Sequence, residues 1–247
     1  GRECVREQLP RLKEQNEIDL VVANAENSAH GKGITRKIYH QLLAMGIDVC
    51  TMGIIPSLKM IFISLLRSRP HGSPSQYGAA GIWQHTVVVK VNGMRVAITN
   101  LCGEVWMNNV VDSPFFCMED ILNDIDADIY LVDLHAETTS EKIAFTYQLP
   151  DGAGWLVGTH THVQTADERL VYGTAAITDL GIAVPDTSVL GRDVQEILTR
   201  FTTNEKTKFK IADGPGILCG AVVRIDETAR KAIHIERIQI RPEQAEC

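Results

Sequence analysis

Short apolar runs that end in polar, glycine-bearing stretches recur along this chain and set its expected architecture. Residues 3–15 combine helical spacing with charge, and Ile18-Asp19-Leu20-Val21-Val22-Ala23 follows as a buried strand. That strand gives way to Asn24-Ala25-Glu26-Asn27-Ser28-Ala29-His30-Gly31-Lys32-Gly33. Residues 35–45 again have helical spacing, with Gly46 as their stop. Ile47 to Met52 is the next strand and runs into Gly53-Ile54-Ile55-Pro56. Helix is expected over 61–66, and loop over 71–81, which is rich in Gly, Ser and Pro. Asn92-Gly93 joins 86–91 to 94–100 in a two-residue hairpin. Residues 102–116 read as irregular, with Trp106, Phe115 and Phe116 expected to pack.

The second half repeats the theme. A helix over 118–126 precedes the buried strand Asp128-Ile129-Tyr130-Leu131-Val132-Asp133-Leu134, which has His135 at its end. Thr138 or Thr139 is placed to cap a helix running from Ser140. Trp155-Leu156-Val157 leads into Gly158-Thr159-His160-Thr161-His162-Val163-Gln164-Thr165-Ala166-Asp167. A strand over 173–178 and a helix over 194–201 follow. Three β segments, 206–211, 218–225 and 232–240, are expected to close the chain as an antiparallel set. With no repeat or linker in view, residues 1–247 read as a single α/β domain.

Composition narrows the field. Hydrophobic residues at 45% and charged residues at 22% suit an ordinary globular protein. A net charge of −7 offers no electrostatic footprint for duplex nucleic acid, though it leaves room for a small phosphate-bearing ligand held through a metal. The six cysteines are scattered with no C-x-x-C pair, which reads as reduced, cytoplasmic and mostly core. The most apolar stretch, Ile54 to Leu66, is too short for a bilayer, which needs about 20 residues.

Chemistry collects at the strand ends. Open α/β sheets place ligands at the carboxyl ends of their strands. In an extended segment His160 and His162 would face the same side, and neutral imidazole is a common ligand for first-row metals. Glu26 and Asn27 add oxygen donors, and Glu26 is able to bridge two ions; His135 ends the intervening strand. Asn24, Asn27 and the neighbouring glycines equally suit a plain loop. Carboxylate, amide and three imidazoles on one edge suit a dinuclear iron, manganese or zinc centre. Two such ions about 3.5–4 Å apart drive in-line phosphoryl displacement. Lys32 and His30 read as loop residues close to this cluster, and His85 and His234 as structural. Asp167 and Asp179 suit either the orientation of the histidines or a turn.

The stretch from Asn24 to Gly33, the run Asp133-Leu134-His135-Ala136-Glu137-Thr138-Thr139-Ser140-Glu141-Lys142, and Gly158 through Asp167 closely resemble the YmdB-like family of bacterial metallophosphoesterases. The resemblance covers nearly the whole chain. It implies a calcineurin-like α/β/β/α sandwich, two divalent ions (Fe or Mn), and hydrolysis of small phosphodiesters, cyclic nucleotides included. It also implies a homo-oligomer in the bacterial cytoplasm, with a regulatory role. By motif, Glu26 would bridge the ions, Asn27 and His162 would hold the first, and His135 and His160 the second.

Two departures stand out. The family opens with a strand ending in Gly-Asp, whose aspartate is a ligand; here that strand is expected ahead of Gly1, cut from the sequence rather than lost in evolution. The family also carries Gly-Asn-His after its third strand, with Asn a ligand and His the proton donor to the leaving group. Gly53-Ile54-Ile55 stands there instead, and isoleucine offers neither lone pair nor proton. The expectation is therefore a phosphodiesterase without its general acid at Ile55. The alternative is a catalytically inactive member that binds metal, nucleotide or a protein partner.

Overall fold

The structure, a computed structural model, describes residues 1–31, 33–53, 86–108, 110, 112–151, 154–203 and 205–242. Its largest sheet has six strands: β3 (Thr86–Val91), β4 (Met94–Cys102), β5 (Ile129–His135), β6 (Gly154–Thr159), β7 (Arg169–Val171) and β8 (Thr174–Ile177). They lie in the order β3-β4-β5-β6-β8-β7. The four central strands run parallel, while both edges are antiparallel hairpin partners.

Alternation along β5 decides the layering. Tyr130, Val132 and Leu134 face one side and pack with Met118 of α3 (Pro114–Asp124) and Phe145 of α4 (Thr139–Thr146). Ile129 and Leu131 face the other side. There, with Val96 and Ile98 of β4, they meet Val49 of β2 (Val49–Thr51) and Val22 of β1 (Val22–Asn24). Further along the same face, Ala175 and Ile177 pack on Ala221 and Val223 of β10 (Gly216–Asp226) and on Ala232 and Ile235 of β11 (Lys231–Ile240). Outside β1 and β2, Leu9 of α1 (Arg2–Asn16) and Ile38 and Leu42 of α2 (Arg36–Ala44) close the last layer over Cys50 and Met52. The layers are helix, sheet, sheet, helix, as the α/β/β/α sandwich requires. Each fully buried Leu or Phe in these clusters contributes about 1.5–3 kcal/mol.

Local chemistry accounts for several boundaries. Thr35 caps α2 by accepting the Ile38 amide. Asn92 and Gly93, at φ 47° and 86°, make the left-handed pair that a tight hairpin needs. Tyr172 and Gly173, at φ 50° and 82°, do the same between β7 and β8; β8 is the strand expected over 173–178, and β7 is a strand that periodicity does not mark.

Other expectations give way. Residues 206–211 form no strand beyond a single bridge from Ile211 to Arg192. Glu196 of α5 (Val194–Thr203) explains this: it accepts the Lys210 amide and the Thr207 hydroxyl, and Asp193 takes Lys210 Nζ at 2.9 Å. The backbone of Lys210 is thus engaged on both counts, its amide by Glu196 and its carbonyl by the Asp193 amide at 3.0 Å, which are groups a strand would pair. The third strand beside β10 and β11 is instead β9 (Val184–Pro185). The helix expected from 118 begins at Pro114, whose fixed φ suits the first helical position. Phe115 then packs on Phe145, but Phe116 and Trp106 stand exposed. The expected helix over 61–66 and the loop over 71–81 lie outside the described residues. No described helix is long and apolar enough to cross a membrane.

Candidate functional site

On the face between the two sheets, each parallel strand turns from apolar to polar at its carboxyl end. Ile98 is followed by Asn100, Leu131 by Asp133 and His135, and Val157 by Thr159. Register sets Asn100 beside Asp133, and His135 beside Thr159. Across the gap, Asn24 and Thr51 pair at the ends of β1 and β2.

Asp133 joins the two sheets. It is fully buried, and its carboxylate accepts hydrogen bonds from Asn24 Nδ2 (2.9 Å), the Thr51 hydroxyl and the Thr159 hydroxyl (2.7 Å). Burial pushes its carboxyl up, and the three hydrogen bonds oppose that shift. Asn24 also accepts the Glu26 amide through Oδ1, at 3.1 Å. The turn carrying Glu26 is therefore tied to the opposite sheet, and Asn24 is more than a loop-former. Asn100, which no motif singled out, accepts the amides of Met52 and Gly53 and donates to the Asp133 carbonyl. It fixes the end of β2.

His135 lies next to this hub. Thr159 gives its one hydroxyl proton to Asp133, so its oxygen accepts Nδ1–H of His135, at 2.9 Å. The bare Nε2 then faces Glu26 Oε2 at 3.0 Å and His160 Nδ1 at 3.0 Å. Burial first, then the neighbouring His160, Lys142 and His162, push His135 down to about 3, so the ring is a neutral lone-pair donor. Gly53 passes directly over the pair. At φ 58°, a Cβ there would lie 2.6 Å from Glu26 Oε2 and 2.8 Å from His135 Cε1. Gly53→Ala is expected to lose at least about 1–2 kcal/mol through the left-handed backbone alone, with the crowding added; chemical unfolding of the variant measures the sum.

The loop after β6 is strained where it matters. His160 has φ 104° and His162 φ 68°, left-handed values that cost non-glycine residues about 1–3 kcal/mol. The expected extended backbone does not continue through these residues, because β6 ends at Thr159 and the chain bends at each histidine. His160 turns toward His135 and toward Glu137, whose Oε2 lies 3.0 Å from its Nε2. His162 instead meets Asn27, whose Nδ2 donates to its Nε2 at 3.2 Å. Burial, reinforced by His160 and opposed by Asp179, lowers the His162 pKa.

Thr161, between the two histidines, is held from beneath. Asp179 accepts both its amide (3.0 Å) and its hydroxyl (2.8 Å), together with the Gly181 amide and Lys142 Nζ (3.0 Å). Lys142 and Asp179 are each 1% exposed. Asp179 thus orients the histidines through Thr161 without touching either ring. Asp167 binds Thr165 and the Thr178 amide and serves the turn. His30 is exposed at a left-handed turn, and His234 points outward from β11. Ile54, Ile55, Lys32 and His85 lie outside the described residues.

The donor set fits a divalent metal in kind and spacing. Two donors held about 2.1 Å from one ion at right angles stand about 3 Å apart, which matches Glu26, His135 and His160. No three His, Cys, Asp or Glu side chains form a finished cage among the described residues; Glu26, His135 and His160 meet pairwise, whereas Asn27 turns its Nδ2 to His162 and would have to present Oδ1 to an ion.

Residues 1–238 match a family model described as YmdB-like protein. The chain is 38% identical over 244 residues to a 2',3'-cyclic-nucleotide 2'-phosphodiesterase of Bacillus subtilis strain 168, covering 97% of this chain and 92% of that protein. A solved structure of a novel phosphatase from Mycoplasma pneumoniae superposes with a TM-score of 0.81 at 32% identity, over 97% of this chain and 88% of that one. A hypothetical protein from Thermus thermophilus gives 0.80 at 31% identity, over 97% and 93%.

Proposed function

Since the chain belongs to the YmdB-like protein family, matched over residues 1–238, we propose that it is a metal-dependent phosphodiesterase acting on small phosphodiesters such as cyclic nucleotides. One observation carries the reading. Glu26 Oε2, His135 Nε2 and His160 Nδ1 lie 3.0 Å apart in successive pairs, at the carboxyl edge of a parallel sheet. Glu26, His135 and His160 would hold one ion. Glu26, Asn27 and His162 would hold the other, with iron or manganese the metals this nitrogen and oxygen set suits. When bound, the metal supplies the positive charge that draws water toward phosphorus and offsets charge on the phosphoryl oxygens.

The protein's own part is to hold and orient. Asp133 and Asn24 fix the Glu26 turn against β5, and Asp179 steadies the His160–His162 loop. Protonation of the leaving group is the weak step. Ile54 and Ile55 stand where the family has Asn and His, and losing a general acid typically costs about 10²–10⁴-fold. The proton then comes from water, so esters with acidic leaving groups lose least.

The same two isoleucines favour a second reading, a metal-bearing member that binds nucleotide or a protein partner without turnover. Hydrolysis of bis-p-nitrophenyl phosphate with Mn²⁺ or Fe²⁺, beside the double variant Ile54→Asn, Ile55→His, separates the two. Metal-dependent turnover by the unaltered protein, raised in the variant, is the expected outcome. Silence in the first with activity in the second leaves the binding reading.

A further inference from the structure

Glu137 belongs to no ligand set, yet it sits directly behind one of the donors. Its Oε2 lies 3.0 Å from His160 Nε2, and the other nitrogen of that ring, Nδ1, lies 3.0 Å from His135 Nε2. A neutral imidazole carries one N–H, and an ionised carboxylate only accepts. The N–H therefore goes to Nε2, and the Nδ1 lone pair points inward. We propose that Glu137 is a positioning residue that fixes His160 in the Nε2–H form and thereby makes Nδ1 its metal donor. The inference rests on the metal reading above.

His135 supplies the internal comparison. Its Nδ1–H is taken by Thr159, which passes its own proton to Asp133, so His135 offers Nε2. The two rings use opposite nitrogens, each set by an oxygen acceptor on its far side. No hydrogen then lies between the two facing nitrogens, an arrangement a cation satisfies. The two rings differ in how firmly they are held. His135 is 3% exposed and enclosed, whereas the His160 side chain is 34% exposed on a backbone at φ 104°. The His160 ring meets His135 edge-on and Glu137 through Nε2.

Outer partners of metal-bound histidines typically set affinity by 10–100-fold. Glu137→Ala is expected to weaken Mn²⁺ binding to the metal-stripped protein by about 10–100-fold in calorimetric titration. Glu137→Gln, whose carbonyl still accepts the Nε2–H, should recover most of the loss. Long-range ¹⁵N–¹H correlation spectra of the metal-free protein should show His160 as the Nε2–H tautomer in the wild type, with Nδ1–H appearing in the alanine variant. A structural role alone would not move that signature. Unchanged Mn²⁺ affinity in the alanine variant overturns the proposal, as does a wild-type His160 protonated on Nδ1. A glutamine variant as weak as alanine also overturns it, because charge rather than proton position would then be at work. Wild-type protein that takes up no Mn²⁺ overturns the metal reading instead, and the metal-free spectra still test Glu137 alone.

Discussion

Replacing Lys142 by methionine is expected to lower the free energy of unfolding by about 3–5 kcal/mol, the usual cost of leaving a buried charge without its partner. Methionine keeps most of the side-chain length but removes the cation 3.0 Å from Asp179 Oδ2. Asp179 would then be a carboxylate 1% exposed, held only by the neutral donors of Thr161 and Gly181. The lysine stem is tightly packed: a Cβ added at Gly158 would lie 1.8 Å from the Thr178 carbonyl oxygen and 2.8 Å from Lys142 Cδ. Urea unfolding of the metal-free protein isolates this term from any ligand contribution. A loss below about 1 kcal/mol, the range of exposed pairs, would mean that the pair is hydrated in solution and does not brace the loop.

The second large effect is on turnover. His135→Ala should reduce Mn²⁺-dependent hydrolysis of bis-p-nitrophenyl phosphate by at least about 10²–10³-fold, the scale seen when one electrostatic group at a reacting centre is removed. Among the described residues, His135 Nε2 is the donor atom that lies 3.0 Å from both Glu26 and His160, so its loss opens both pairs at once. Metal stoichiometry should fall with rate. Activity within tenfold of wild type, with full metal content, would remove this edge of the sheet from the reaction.

What the sequence disclosed and what it hid divide on physical lines. Glu26, Asn27, His135, His160 and His162 were legible as candidates because they stand just past apolar runs, and a strand's end is visible as the place where hydrophobicity stops. The same runs gave the α/β class, and the α/β/β/α layering came from the family resemblance alone. Asp133 and Asn100 were not legible as organising residues, and Asp179 was legible only as one of two readings, a partner that orients the histidines or a turn residue. Asp133 is bound by residues up to 109 positions away, and local pattern carries no trace of such partners. Lys142 gave a weak signal, a lysine at helical spacing beside apolar Ile143 and Ala144, which reads by default as a solvated face. The error at 206–211 has the same root. Alternation marked a strand, but Glu196 and Asp193 had already engaged that segment, and only tertiary structure shows it. The aim of the two loop histidines depended on backbone strain at 160 and 162, which residue types do not announce.

Glu26 arrives from the sheet that holds β1 and β2, whereas His135 and His160 arrive from the six-stranded one, and among the described residues no backbone ladder crosses between them. An ion held among these side chains would therefore act as a rivet through two plates. Its binding energy is drawn directly against separation of the layers, so occupancy at a hundredfold excess over the dissociation constant would add about 2.7 kcal/mol to the cohesion of the sandwich. On this geometry the proposed metal edge would be a further fastening of the layers, beside the Asp133 hydrogen bonds and the apolar contacts of the sandwich.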